Sequence, residues 1–438
     1  MNLIYNKIKE NKTKLLKSNF TKSVLYIAGG TAITQIINVF FSPILTRLYL
    51  PSEYGIMAIF SSIIMLFSFS SLKYELAIPI PENDKSAINL AGVSFCILSI
   101  FTLVLTGVLY FYGDRFLSLL DADSMSQYKY FLSVGVFFIG VYQILLKWNY
   151  RRKSFKLISK TKVGQNLSGN IVKTVAGYFG FGVFGLLFGK IISESVSIVV
   201  FLKKFYESEK NIFHHINFKE MVYSFKRYKD FAIYQTPGTF LSRFKNQLPI
   251  FNMSLYGAST VGMYGLANTI VKLPMTVIGH SIRNVFFAEA ASIGKKNPIK
   301  LKNLSNSLMR KLILIGIFPT LALIIIGPWL FSFAFGEQWY EAGVYARILS
   351  VAIYSDFIFS PVSRVFEVIE KQKQKMILDL LGLGLVLLSF GSAKYFFNGS
   401  AYVAIIFYSS SMSIFYFATY VLARFYINKE IELVKKEK

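Results

Sequence analysis

AINLAGVSFCILSIFTLVLTGVLYFY, residues 87–112, carries no charged side chain between Lys85 and Asp114. As a helix rising 1.5 Å per residue it reaches about 39 Å, more than the ~30 Å hydrocarbon core of a bilayer. A polar stretch, Gly113 to Gln127, follows it, then a second apolar run at 128–147, then the strongly basic stretch Lys147 to Lys162. The alternation continues in both directions. Apolar runs at 23–46, 54–71, 164–179, 183–202, 231–256, 261–288, 306–326, 345–366, 376–396 and 401–423 complete the set. The pattern predicts an all-α membrane protein with about twelve transmembrane helices and almost no soluble domain.

Composition agrees: 54% of the 438 residues are hydrophobic and 16% charged. The formal charge of +25 would suggest a nucleic-acid partner in a soluble chain. Here about 36 of the 48 basic residues fall on one set of alternate connectors and about 4 on the other, which is the positive-inside bias. That distribution assigns the charge to topology, argues for no nucleic-acid partner and puts both termini in the cytoplasm. Residues 1–22, with Lys7, Lys9, Lys12, Lys14 and Lys17 but no small-residue cleavage site, read as a retained cytoplasmic segment. Cys96 is the only cysteine, which excludes an intrachain disulfide. No GxxxxGK[ST] loop is present, and no Cys/His spacing suggests a metal. His214-His215 reads as a solvated pair, and His280 as a helix contact or a proton relay.

The chain divides into a cytoplasmic segment (1–22), a six-helix bundle (23–202), a cytoplasmic linker (203–229), a second six-helix bundle (230–424) and a cytoplasmic tail (425–438). The linker contains an amphipathic helix over 218–228. The halves read as a duplication. Tyr54-Gly55 matches Tyr264-Gly265, Gly113-Asp-Arg-Phe-Leu-Ser matches Gly327-Pro-Trp-Leu-Phe-Ser, and Tyr178-Phe179 matches Tyr395-Phe396, all at offsets near 210 residues. Six spans per half gives both halves one orientation, a pseudo-symmetry suited to rocking about a central site.

Intramembrane polar residues carry the chemistry. Thr31, Gln35, Asn38 and Ser42 form a stripe in the first span, and Gln235, Thr239, Ser242 and Asn246 a matching one in the seventh. They either line a shared cavity or hydrogen-bond helix to helix. Arg243, Lys245, Lys272 and Lys173 lie well inside apolar runs, where facing lipid costs at least about 2.5–3.5 kcal/mol. Arg243 and Lys245 cannot point in one direction, and Lys173 has snorkelling as its alternative. Lys190 and Glu194, four apart, can neutralise each other. Arg283 lies near a helix end. Asp356 is the clearest buried carboxylate, either a structural ion pair or the group that binds a coupling H⁺ or Na⁺. A surplus of fixed cations suits an anion, with phosphate or diphosphate the natural candidate.

Leu45-Thr-Arg-Leu-Tyr-Leu-Pro-Ser-Glu-Tyr-Gly55, Lys73-Tyr-Glu-Leu-Ala-Ile78, Met263-Tyr-Gly-Leu-Ala267 and Phe335-Gly-Glu-Gln-Trp339 together resemble the bacterial polysaccharide (O-antigen or capsule, Wzx-type) flippases. That family belongs to the superfamily of multidrug and toxin extrusion antiporters and lipid II flippases. The resemblance implies a non-enzymatic transporter in the bacterial cytoplasmic membrane, working without a resident cofactor. It would move an undecaprenyl-diphosphate-linked oligosaccharide across the lipid bilayer by alternating access, alongside a polysaccharide polymerase machinery. Expected substrate-binding residues are Arg243, Lys245, Lys272, Lys173, Gln35, Asn38 and Asn246, with Asp356 as the ion-coupling residue. Two alternatives stay open: a multidrug or cation antiporter, and a membrane polysaccharide polymerase or ligase. The latter class needs a sizeable outer catalytic loop, and the longest outer loop expected here is Gly327 to Gly343.

Overall fold

The computed structural model describes residues 19–120, 122–294, 297–396 and 400–436. The lysines at 7, 9, 12, 14 and 17 and the side chain of His280 lie outside the described residues. All regular structure among the described residues is helical. In chain order the α-helices are α1 (Asn19–Leu48), α2 (Pro51–Leu66), α3 (Asp84–Ser118), α4 (Tyr130–Arg151), α5 (Phe155–Tyr178), α6 (Gly182–Glu209), α7 (Phe218–Arg227) and α8 (Thr236–Ser254). They continue as α9 (Ala258–Ile293), α10 (Pro298–Phe335), α11 (Tyr340–Phe359), α12 (Val365–Val368), α13 (Gln372–Phe396) and α14 (Ala401–Lys436). Twelve of these have 16 residues or more, and α7 and α12 are short.

Among the described residues eight candidate spans are long and apolar enough to cross a bilayer, so the chain is a multi-pass membrane protein. Three of the four long helices outside that set are informative. α2 is apolar but only 16 residues long. α5 and α8 have the length but are interrupted by lysines, asparagines and serines. Polar side chains at such positions need protein or water beside them.

Local chemistry sets the ends. Asn83 caps α3 by accepting from the Ser86 N–H at 2.7 Å, and Asn297 caps α10 ahead of Pro298. Gly180 and Gly182, both at positive φ, make the tight α5–α6 turn. α8 opens with a π turn, Phe231–Gln235, where the Thr236 N–H reaches the Phe231 carbonyl just before Pro237. Helices overrun the apolar runs that marked them, because backbone hydrogen bonding continues into the polar layer. α3 ends at Ser118 rather than Tyr112, and α14 runs on to Lys436. The expected outer loop Gly327 to Gly343 is a correction: α10 extends to Phe335 and α11 begins at Tyr340. Gly327 and Pro328 suggested a loop, but Gly343 lets α11 close onto the Pro328 backbone, where a Cβ would not fit.

The chain forms two compact units. One comprises residues up to Tyr49 together with Phe60–Phe244; the other comprises Leu50–Ile59 and Lys245–Lys438. α2 therefore contributes its first turns to the second unit and its remainder to the first. In the second unit Gly55 and Gly262 bring α2 and α9 into backbone contact: a Cβ on Gly55 would overlap the Ala258 carbonyl, and one on Gly262 the Pro51 carbonyl. Tyr54 meets Trp339 edge-to-face at 5.1 Å.

In the first unit, the core around Tyr74, Leu90, Leu98, Trp148 and Phe205 is closed at the basic end by a charged clamp. Asp84 accepts from Arg151 at 2.8 Å and Arg152 at 2.9 Å, and Glu209 accepts from Arg152 and from the Trp148 indole at 3.1 Å. The hydrogen bond to Glu209, then that to Asp84, holds the Arg152 guanidinium above its ordinary range. Nearby, burial pushes the Lys73 ammonium below its usual range against the pull of Glu75, 3.5 Å away. Asp84→Ala is expected to cost about 1–2 kcal/mol, since it strips two arginines of one partner in a half-exposed network. Thermal unfolding in detergent checks this, and an unchanged midpoint would show that the clamp contributes nothing.

Candidate functional site

Four helices of the second unit turn polar side chains inward at helical spacing. α9 presents Tyr264, Asn268 and Lys272; α11 presents Leu349, Ile353 and Asp356; α14 presents Tyr408, Met412 and Tyr416. α8 adds Lys245, Asn246 and Pro249, and Val386 of α13 completes the wall. Together they line a cavity of about 120 Å³, smaller than the ~300–1,000 Å³ usual for a small-molecule site. It has room for an anionic group or a hydrated ion but not for an oligosaccharide. Pro249 cannot donate to the Lys245 carbonyl one turn back, so the α8 wall departs from regular helix pairing beside a cation.

Charge is arranged asymmetrically. The cations acting on Asp356 are, in decreasing order, Arg283, Lys272 and Lys245, while Ser360 donates a hydrogen bond to it. Lys245 also lies 3.8 Å from the Asp379 carboxylate and 5.4 Å from the Phe415 ring centroid. Asp379 is in turn held by Lys375 at 2.7 Å. Lys272 sits in the wall yet keeps an exposed surface. Tyr264 and Tyr408 are hydrogen-bonded to each other. The interior thus offers two ammonium groups, hydroxyls and amides around a single lining carboxylate.

Of the expected ligands, Lys245, Asn246, Lys272 and Asp356 converge here. Arg243, Lys173, Gln35 and Asn38 are not among the residues that line this cavity. Arg243 belongs to the first unit, where its charge acts on Lys73. Lys173 is buried on α5, close to Lys190 and Glu194, so it does not snorkel. Glu194 accepts from Lys190 at 3.1 Å and from Gln165. Asn38 accepts from Asn170 at 3.3 Å and Thr31 from Lys162 at 3.0 Å, so this stripe joins α1 to α5. Gln35 is half-buried on the same helix. Sequence reading missed Tyr264, Asn268, Tyr408 and Tyr416, and it placed Arg283 at a helix end although α9 continues ten residues beyond it to Ile293. The i, i+4, i+8 sets on α9 and α14 were the available signal.

A family model described as polysaccharide biosynthesis protein matches residues 44–344, more than half of the chain. The chain belongs to this family. No curated protein matches this family member in sequence. Solved structures do match in fold. The lipid II flippase MurJ in an inward closed conformation shares 15% identity at a TM-score of 0.68, over 94% of this chain and 90% of MurJ. An inward-facing multidrug resistance MATE family transporter of the MOP superfamily shares 15% identity at a TM-score of 0.62, over 94% and 96%. A MATE structure in the bent conformation follows at 14% and 0.57, over 96% and 98%. This polysaccharide biosynthesis family member therefore has the pseudo-symmetric twelve-helix fold of those membrane proteins.

Proposed function

We propose that this protein is a flippase moving undecaprenyl-diphosphate-linked oligosaccharide repeat units across the cytoplasmic membrane by alternating access, for surface polysaccharide synthesis. The observation that carries the reading is the cation-rich cavity holding Lys272, Lys245 and Asp356 in a polytopic fold. A diphosphate delivers acceptor oxygens to Lys272, while Asn246, Asn268 and the tyrosines offer hydrogen bonds. At its present volume the cavity takes the anionic end of such a substrate. The sugars require a more open state.

Asp356 stands in for the substrate anion when the site is empty, keeping Lys272 and Arg283 compensated. Asp356 is the group that would bind a coupling H⁺ or Na⁺, and Arg283, Lys272 and Lys245 oppose the added positive charge of either until an anion enters. The fold likeness to MATE transporters and the buried Asp356 favour a cation-antiporter reading, but a cationic drug would meet Lys245 and Lys272.

Deletion of the gene, with analysis of lipid-linked glycans by leaflet, tests the proposal. Repeat units should accumulate on the cytoplasmic leaflet while polymer disappears. Repeat units already outside in the deletion strain would defeat it.

A further inference from the structure

The segment joining α6 to α8 carries a helix that export chemistry does not use. Along α7, Phe218, Met221, Val222 and Phe225 lie on one side and Lys219, Tyr223, Lys226 and Arg227 on the other. Part of the apolar side is fastened to the first unit. Buried Asn89 of α3 donates to the His215 carbonyl at 2.9 Å and accepts the Asn217 N–H at 2.8 Å. The Met221 side chain covers Gly92, and the Phe225 ring stacks on Tyr74 at 5.3 Å. The rest of that side is bare: Phe218 is 79% exposed, with Ile216 and Val222 exposed beside it.

α3 gives the depth at which this helix lies. Its exposed Tyr110, Phe111 and Tyr112 form a triplet of the kind that marks one membrane interface. A hydrocarbon core of ~30 Å, about 20 helical residues, places the opposite interface near residues 90–92. Asn89 and Gly92, which hold α7, bracket that level. At this depth the bare aromatic faces lipid, and the cations lie at the headgroup layer.

We propose that α7 is an in-plane anchor on the cytoplasmic leaflet. Phe218 and Val222 enter the acyl boundary, and Lys219, Lys226, Arg227 and the adjacent Lys229 bind anionic phospholipid headgroups. Glu220 and Asp230 are the acidic residues in this stretch, so the segment is cationic and complementary to such a leaflet. The anchor fixes the end of the linker that enters α8.

The test uses the full-length protein in phosphatidylcholine–phosphatidylglycerol vesicles. With Cys96 replaced by Ala, spin labels are attached at Phe218→Cys or Lys226→Cys. The Phe218 label should collide with oxygen more than with a water-soluble nickel chelate, and the Lys226 label the reverse. Equal chelate access at both sites overturns the embedded helix, and so does a Phe218 label shielded only after a cytosolic extract is added. In native mass spectra, Lys219→Gln/Lys226→Gln/Arg227→Gln should retain severalfold less phosphatidylglycerol than the parent. Equal retention overturns the headgroup assignment.

Discussion

On the flippase reading proposed above, Lys272→Ala should lower the export of lipid-linked repeat units by about 10- to 100-fold while leaving the amount of protein in the membrane unchanged. Lys272 lines the cavity and lies in the field of Asp356. Losing one charge-assisted contact to a diphosphate costs about 1.5–3 kcal/mol, and each 1.4 kcal/mol is tenfold. Lys272→Arg keeps the charge and should retain a measurable share of transport. The double variant Lys272→Ala/Asp356→Ala removes one cation and one anion together and should insert normally yet still fail to export. Surface polysaccharide in a complemented deletion strain, read against membrane protein level, separates these outcomes. Full complementation by Lys272→Ala would remove the cavity from the mechanism.

Gly55→Val is expected to unfold the protein at a markedly lower temperature, with Gly262→Val close behind. Both side chains would meet backbone carbonyls, Ala258 for the first and Pro51 for the second. Backbone atoms cannot swing away as a flexible side chain does, so the cost belongs at or above the top of the usual range of about 1–3 kcal/mol for overpacking. Gly107→Ala in α3 is the control: a Cβ there meets nothing within 4 Å, and alanine is the better helix former. Thermal unfolding in detergent should show a loss for the first two and none for the third. Equal midpoints for all three would mean that the α2–α9 contact is not as close as described.

Much of the fold was legible because hydrocarbon is a severe solvent. A run such as 87–112 has one fate there, a helix that satisfies its own backbone. Hydropathy could not see where helices end, since it responds to side chains whereas the helix is held by backbone. Hydropathy therefore puts Arg283 at a boundary it does not occupy and reads a loop over Gly327 to Gly343. The polar site was half legible. Intramembrane charge picked out Lys245, Lys272 and Asp356 because their burial would otherwise be so costly. Tyrosines 264, 408 and 416 escaped notice because a hydroxyl on an aromatic ring costs little in either setting. Arg243 and Lys245 are two positions apart on one helix and point differently, so one lines the cavity and the other does not.

The ten residues Leu50–Ile59 have a consequence for protein engineering. They precede the linker in sequence, yet they fill a groove in the second unit against Ala258 and Gly262. A chimera that swaps halves between members of this family at the 203–229 junction would marry this plug to a foreign socket. Recombinants should carry Leu50–Ile59 from the same parent as α9, and a C-terminal fragment expressed alone would need that peptide supplied in trans.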